Sequence, residues 1–139
     1  MDTTTHRHPL DPATVDATGR PPGRLGEDLA VAHLVDVDGY RILARNWRLT
    51  AGELRGELDV VAEDPVTGAL IVVEVKARRD AARFGGALAA VPPRKAAKVR
   101  ALTAAFLRQT PPRHPRVRLD VIAVDLGSDP QLTHVTAAL

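Results

Sequence analysis

The spacing of apolar residues predicts two helices in this chain. Over residues 23–39 the apolar side chains recur near helical spacing, and Gly39 is a residue that can end a helix. The apolar positions of this first helix include Leu25, Leu29, Ala32 and Val35. Residues 93–109 repeat the pattern, and Pro92-Pro93 predicts the start of this second helix because proline is tolerated in a first helical turn.

Runs rich in β-branched residues predict the strands. They cover residues 40–47, 58–63, 70–77 and 117–126, with a further short strand over 133–138. The turn sequence DPVTG separates the second and third runs. The resulting order, α-β-β-β-α-β with a final short strand, predicts an α/β fold with a mixed sheet and helices packed on it.

Residues 1–22 show neither the helical spacing of apolar residues nor the alternation expected of a strand. They are rich in Thr, Pro and Asp, and we expect them to form a flexible N-terminal tail. Residues 23–139 are then expected to form one domain, since 139 residues suffice for one sizeable core but not two.

The amino-acid composition excludes several kinds of site and of cellular location. The chain has no cysteine, which excludes disulfides, thiolate zinc sites and cysteine nucleophiles. No apolar run approaches the ~18 residues that a membrane span needs, and residues 1–20 contain no apolar stretch of the kind found in a secretory signal. We therefore expect a cytoplasmic protein with no membrane partner.

Basic residues are concentrated in one segment. Residues 81–119 contain no Asp or Glu, although the net charge of the whole chain is only +2. The nine basic residues of the segment are Arg83, Arg94, Lys95, Lys98, Arg100, Arg108, Arg113, Arg116 and Arg118. Such a one-signed segment favours a polyanionic partner. The alternative is that these side chains only decorate a solvated surface.

Strand parity places several charged residues on one face of a predicted hairpin. If Glu63 pairs with Leu70 across the turn, then Asp59 lies opposite Glu74 and Glu57 opposite Lys76. A one-residue slip or a bulge at Gly68 would change this register.

Opposed carboxylates such as Asp59 and Glu74 destabilise a sheet unless something compensates them. A divalent cation does so, and carboxylate oxygens suit Mg²⁺ or Mn²⁺. Apolar residues on both sides of Glu74 favour a central, covered strand. The alternative is a hairpin edge decorated with Glu–Lys pairs.

A series of motifs makes the chain recognisable. GELDVVAED is followed by IVVEVKAR, with Glu74 fifteen residues after Asp59, and this resembles the D-x(n)-E-x-K signature of the restriction-endonuclease-like nuclease superfamily. GRLGEDLA, GYRILARNWR, Phe84-Gly85, Lys95 and RLDVIAV extend the likeness. Together they resemble the YraN-type family of uncharacterised bacterial proteins, which is similar to archaeal Holliday junction resolvases. An aromatic residue commonly precedes V-E-V-K in that family, and Val72 stands there in this chain.

The resemblance implies a restriction-endonuclease-like fold and a set of site residues. Asp59 and Glu74 match the metal-binding acids, and Lys76 matches the catalytic lysine. Glu27 matches an acidic residue on the first helix and is a further candidate catalytic acid and metal ligand. The alternative is a structural role, because an acid near a helix N-terminus is favoured by the helix dipole. The Val75 backbone carbonyl is a further candidate metal ligand, and Glu57 is an auxiliary acid.

The expected partner is DNA, and resolvases act as dimers, so a homodimer is expected by analogy. Candidate phosphate contacts are Arg78, Arg79, Arg83, Arg94, Lys95, Lys98 and Arg100. The isolated histidines His33, His114 and His134 are expected to be solvated, and Asp120 to be structural.

Two function classes remain open at this point, with a third, less specific one. The chain is a Mg²⁺- or Mn²⁺-dependent nuclease acting on branched or structured DNA, or a nucleic-acid-binding module of nuclease fold with little turnover. The third is a domain that acts only through protein contacts.

Overall fold

A computed structural model of the chain describes residues 2–17, 20–49, 52, 54–79, 91–110 and 114–139. Within these ranges the chain forms six strands and three helices. In chain order they are β1 (Thr4–Pro9), α1 (Pro12–Ala17), α2 (Pro22–Asp36), β2 (Arg41–Arg48), β3 (Glu57–Glu63), β4 (Leu70–Arg78), α3 (Pro93–Gln109), β5 (Val117–Asp125) and β6 (Gln131–Thr136).

All six strands join one sheet in the order β1-β6-β5-β4-β3-β2. Strands β4 and β5 are parallel and α3 lies between them in sequence, whereas the other neighbouring pairs are antiparallel. This mixed sheet with its helices fits a restriction-endonuclease-like α/β fold, which confirms the predicted fold class.

The β3–β4 hairpin has the predicted register. Glu63 pairs with Leu70, and Val61 pairs with Val72. Gly68 is the residue at which a bulge would have changed the strand register. It has φ of +75° and donates its N–H to the Asp64 carbonyl at 2.8 Å. Because glycine adopts this left-handed conformation without steric cost, the turn closes without a change of register.

Alternation along β4 gives the sheet two apolar faces. Ile71 and Val73 point to the side covered by Leu25, Ala30 and Leu34 of α2, which we call the α2 face. Leu70 and Val72 point to the opposite side, the α3 face, which is covered by α3 residues Val99, Leu102 and Phe106. The strand is therefore buried on both sides, as its continuous apolar sequence predicted.

Helix α2 approaches β4 closely at one glycine. A Cβ atom added at Gly26 would lie 2.3 Å from the Cβ of Ala77. Only glycine fits at this crossing, and the packing fixes the N-terminal half of α2 over the end of β4.

The N-terminal segment differs from its expected form. Residues 4–9 are strand β1, which pairs antiparallel with β6, and Pro12–Ala17 is a short helix, so the prediction of a flexible tail is wrong for these residues. The sequence of β1, TTHRHP, has no apolar alternation because the strand contributes backbone pairing at the sheet edge. The last short strand was predicted, and it begins two residues earlier, at Gln131.

None of the helices in the described ranges is long and apolar enough to cross a membrane.

Candidate metal centre and nucleic-acid interface

Asp59 and Glu74 meet where β3 and β4 stop pairing. The backbone ladder ends at Val60–Val73, and the same register places Asp59 opposite Glu74. Beyond that point the Asp59 side chain replaces the ladder, since its Oδ2 accepts the Val75 N–H at 2.9 Å. Glu74 is only 3% exposed, on the α3 face. The structure thus brings the two predicted metal-binding acids together.

Two lysines approach Glu74 from different elements. The Nζ atom of Lys95, on α3, lies 3.5 Å from Glu74 Oε1, and the Nζ atom of Lys76, on β4, lies 4.0 Å from the same oxygen. The Lys95 and Lys76 side chains are 32% and 29% exposed. One buried carboxylate therefore faces two partly solvated ammonium groups.

Burial disturbs the ionisation of both acids. Loss of solvation raises the pKa of Asp59, against the lowering effect of the Val75 N–H. Loss of solvation, followed by repulsion from Asp59, raises the pKa of Glu74 to about 7 even though Lys95 and Lys76 oppose the shift. The two lysines do not fully compensate the pair, which leaves a place for further positive charge.

Lys95 has a contact that the sequence did not predict. It was predicted as a phosphate contact, and the structure directs it at Glu74. A local pattern could show only that Lys95 follows Pro92-Pro93 near the start of a helix. Its target depends on how α3 crosses the sheet, which the sequence pattern does not contain.

Glu27, predicted as a metal ligand, and Glu57, predicted as an auxiliary acid, have other partners. Glu27, on α2, accepts hydrogen bonds from Asn46 Nδ2 at 2.8 Å and from an Arg45 guanidinium nitrogen at 3.3 Å. Glu57 accepts one from Arg48 Nε at 2.8 Å, and among the described residues its ion pair is with Arg48, whereas Lys76 pairs with Glu74. Neither acid has a described hydrogen bond to Asp59 or Glu74.

Glu27 and Glu57 both line a cleft that is separate from Asp59 and Glu74. The cleft has a volume of about 670 Å³ and is lined by four arginines and three acids from α2, β2, β3 and the segment before α2. Asn46 shapes one wall, with φ of +52°, a left-handed conformation that asparagine tolerates better than most residues. The negative charge of Glu57 contributes to the raised pKa of Asp59, which connects the cleft to the candidate metal centre.

Most of the predicted phosphate contacts in the described ranges are exposed. Arg78 and Arg79 lie at the end of β4, where Arg79 donates to the Arg20 carbonyl at 3.2 Å. Arg94, Lys98 and Arg100 lie on α3, and Arg83 lies outside the described residues.

Lys98 reaches towards β3. Its Cδ would lie 3.0 Å from a Cβ added at Gly56, whose φ is +119°. The glycine therefore provides both a backbone conformation and space for the lysine stem. This contact places the charged end of α3 beside the start of β3.

Several expectations about the remaining polar residues are wrong. His33 and His134 are buried rather than solvated, and partly buried His114 lies 3.1 Å from the Gly68 carbonyl. Arg118, counted in the basic segment, is held by both oxygens of Asp120 at 2.8 Å. Asp120 is fully buried and has the structural surroundings that were expected of it.

Comparison with known proteins gives a family assignment. The model of the uncharacterised protein family UPF0102 matches residues 26–124. A UPF0102 protein from Mycobacterium sp. (strain JLS) is 47% identical over 116 residues, which cover 82% of each chain. One from Mycolicibacterium smegmatis is 43% identical over 115 residues, covering 81% of this chain and 88% of the relative. No solved structure matches the chain significantly. With most of its length matched by the family model and by relatives of this identity, the chain belongs to the UPF0102 family.

Proposed function

We propose that this chain is a metal-dependent nuclease that hydrolyses phosphodiester bonds in branched or structured DNA. The observation that carries the proposal is the convergence of Asp59 and Glu74 at the end of the β3–β4 ladder, with Lys76 and Lys95 at the same carboxylate. The two carboxylates are ligands of the kind that a hard divalent cation prefers. The adjacent ammonium groups suit the negative charge of a phosphate ester.

The donor set fits Mg²⁺ or Mn²⁺. Asp59 and Glu74 offer carboxylate oxygens, and the Val75 carbonyl is the further candidate ligand. Burial raises the pKa of both acids, and a divalent cation would stabilise their ionised forms. When bound, such a cation polarises a phosphoryl oxygen and lowers the pKa of water.

The chain's own residues would position the other reactants. Lys76 would orient the attacking water, accept its proton or neutralise charge developing on the phosphate. Lys95 contacts the same Glu74 oxygen and would hold that carboxylate in place. Asp59 is oriented by the Val75 N–H, so both acids are fixed before DNA arrives.

The surface around α3 suits a polyanion. Arg94 and Lys95 lie in the first turn of α3, which contains no acid, and Lys98 follows one turn later. Positive charge at a helix N-terminus is disfavoured by the helix dipole. Bound phosphates would relieve this unfavourable arrangement, while Glu74 already partners Lys95.

A second candidate is a DNA-binding module with little turnover. The ammonium group of Lys95, 3.5 Å from Glu74, already supplies part of the compensation that a cation would provide. In that case the basic surface binds DNA and the acids serve to anchor α3.

The test is a cleavage assay on duplex, single-stranded, flap and four-way-junction DNA with Mg²⁺, Mn²⁺ or EDTA. The variants are Glu74→Gln and Asp59→Asn, and the matched control is Asp36→Asn, an exposed acid at the end of α2. Metal-dependent cleavage that both site variants lose and the control keeps supports the nuclease.

Salt-dependent binding without cleavage by any chain supports the binding module. Absence of both binding and cleavage excludes both candidates. Size-exclusion chromatography with and without DNA tests the expected homodimer.

A further inference from the structure

A second cluster of metal-binding residues lies on the other face of the sheet. His33 is in the last turn of α2, Asp38 follows that helix, and His134 is on β6. His134 pairs in register with Ile122, a core residue of the α2 face. Glu74 lies on the α3 face, so the cluster and the candidate nuclease site are on opposite sides of the sheet.

The three side chains converge on one point. His33 Nε2 lies 3.2 Å from His134 Nδ1, and these nitrogens lie 3.5 and 3.3 Å from Asp38 Oδ2. Tetrahedral Zn²⁺ sites with bonds of 2.0–2.1 Å have ligand atoms about 3.3–3.4 Å apart. The triangle has the size of one face of that tetrahedron.

Proton counting shows that the cluster lacks donors. His134 Nε2 lies 2.8 Å from Asp120 Oδ2, so a neutral His134 carries its proton on Nε2 and turns an unprotonated Nδ1 towards the cluster. Asp38 Oδ2 is a second acceptor, and it is buried without a hydrogen-bond partner. His33 Nε2 can donate only one proton to these two acceptors.

The surroundings of Asp120 determine which ring nitrogen of His134 faces the cluster. Asp120 is fully buried, and burial alone would raise its pKa; hydrogen bonds from His134 and Arg118 and from the Ala137 N–H prevail and lower it. An ionised Asp120 therefore accepts the Nε2 proton and orients the imidazole. Carboxylates placed behind metal-bound histidines play this role in zinc proteins.

His33 is suited to the same chemistry. Its side chain is buried in the last turn of α2, and its Nε2 lies 3.2 Å from His134 Nδ1. His8 of β1 stands beside it, with ring centroids 4.6 Å apart. The fourth coordination position is left to water or to this imidazole.

We propose that His33, Asp38 and His134 bind a zinc-class divalent transition metal at a site separate from the candidate nuclease centre. Two imidazoles and one carboxylate select such a metal over Mg²⁺, which prefers oxygen ligands. With the His33 proton on Nδ1, all three inward-facing atoms are acceptors, and the bound ion satisfies them together. It also ties the end of α2 to β6, the strand that carries β1, and so fastens the sheet edge.

One proposed zinc ligand lies outside the part of the chain that the UPF0102 family model matches. His134 lies beyond residues 26–124, the part matched by the family model. The proposal therefore concerns this chain and does not follow from its membership of the family.

The test uses the full, untagged chain freed of metal by a chelator. Zn²⁺ is titrated by calorimetry and the melting temperature is followed, with Co²⁺ as a spectroscopic probe of tetrahedral coordination. The key variant is Asp38→Asn, because Asp38 is partly exposed and its amide isostere keeps the volume. The matched control is Asp36→Asn, an exposed acid two residues earlier.

We expect one Zn²⁺ per chain and a rise in melting temperature with Zn²⁺. Asp38→Asn and His33→Gln should lose both, whereas Asp36→Asn and Glu74→Gln should keep both. Asp120→Asn should weaken binding by about 10–100-fold, as loss of a partner behind a ligand does.

The proposal is overturned if the wild-type chain binds no Zn²⁺, or if Asp38→Asn and His33→Gln bind it as tightly as the wild type. Circular dichroism of each metal-free variant shows whether it folds. If His33→Gln does not fold, Asp38→Asn decides the question alone.

Discussion

Glu74 should destabilise the metal-free protein at neutral pH, and Glu74→Gln should therefore stabilise it. The carboxyl is 3% exposed, and its pKa is raised from 4.5 to about 7 by burial and by the nearby Asp59. In the unfolded chain the group ionises near 4.5. Between these values the folded chain binds more protons than the unfolded chain, so stability falls as pH rises.

The size of the effect follows from the same two values. The shifted pKa of Glu74 lowers the free energy of unfolding by about 3 kcal/mol above pH 7, where the carboxyl is ionised. Near pH 5 the loss falls below about 1 kcal/mol. Glutamine resembles the protonated acid in shape and carries no charge, so it avoids this cost. The variant should exceed the wild type by these amounts in its free energy of unfolding.

The assay is urea unfolding of both metal-free chains at pH 5, 6, 7 and 8. Both chains have the same histidines, so the pH-dependent contribution of the histidines cancels in the difference between the two chains. The exposed-acid variant Asp36→Asn should show no such pH-dependent gain. With saturating Mg²⁺ the wild type should recover stability and Glu74→Gln should not. A wild-type chain that is as stable as Glu74→Gln at pH 8 would refute the reasoning.

Three further predictions follow from the same structure. Lys76→Arg should lower the single-turnover cleavage rate by ~10²–10⁴-fold and leave DNA affinity, measured by fluorescence anisotropy, within a few-fold, because a guanidinium keeps the charge but does not transfer protons at neutral pH. Wild-type cleavage would remove Lys76 from the reaction. Reversing the charge of the exposed α3 residues Arg94, Lys98 and Arg100 should weaken DNA binding for all sequences and lower the log–log salt slope by roughly 2–3; unchanged binding would show a merely solvated surface. Gly26→Ala, normally favourable in a helix, should lower the melting temperature because the new Cβ meets β4 at 2.3 Å; a higher melting temperature would contradict this packing.

The β3–β4 hairpin shows what the sequence alone can predict. The period-2 pattern on both sides of DPVTG determines which residues share a face, and the turn determines the register between Glu63 and Leu70. The convergence of Asp59 and Glu74 depends only on these local features. Strand parity and turn chemistry are therefore enough to predict it.

The features that were missed depend on contacts distant in sequence or on backbone pairing. His33 and His134 are 101 residues apart and meet only because β6 lies beneath the end of α2. Strand β1 has polar side chains and is held by backbone bonds to β6, so it gives no periodic signal. Asn46 reaches Glu27 because the backbone of β2 takes a left-handed turn there, which no apolar pattern encodes.

Two buried acids on adjacent strands differ in how fully neighbouring groups compensate their charge. Asp120 pairs in register with Val73, and Glu74 with Val121, so the acids are neighbours on opposite faces of the sheet. Asp120 receives hydrogen bonds from Arg118 and Ala137 and binds His134, and its pKa is lowered despite burial. Glu74 meets two partly solvated lysines at 3.5 and 4.0 Å, and its pKa is raised. Similar burial leads to opposite shifts, so burial alone does not mark a site. The proposed cation ligand is Glu74, the acid whose charge the surrounding groups compensate less.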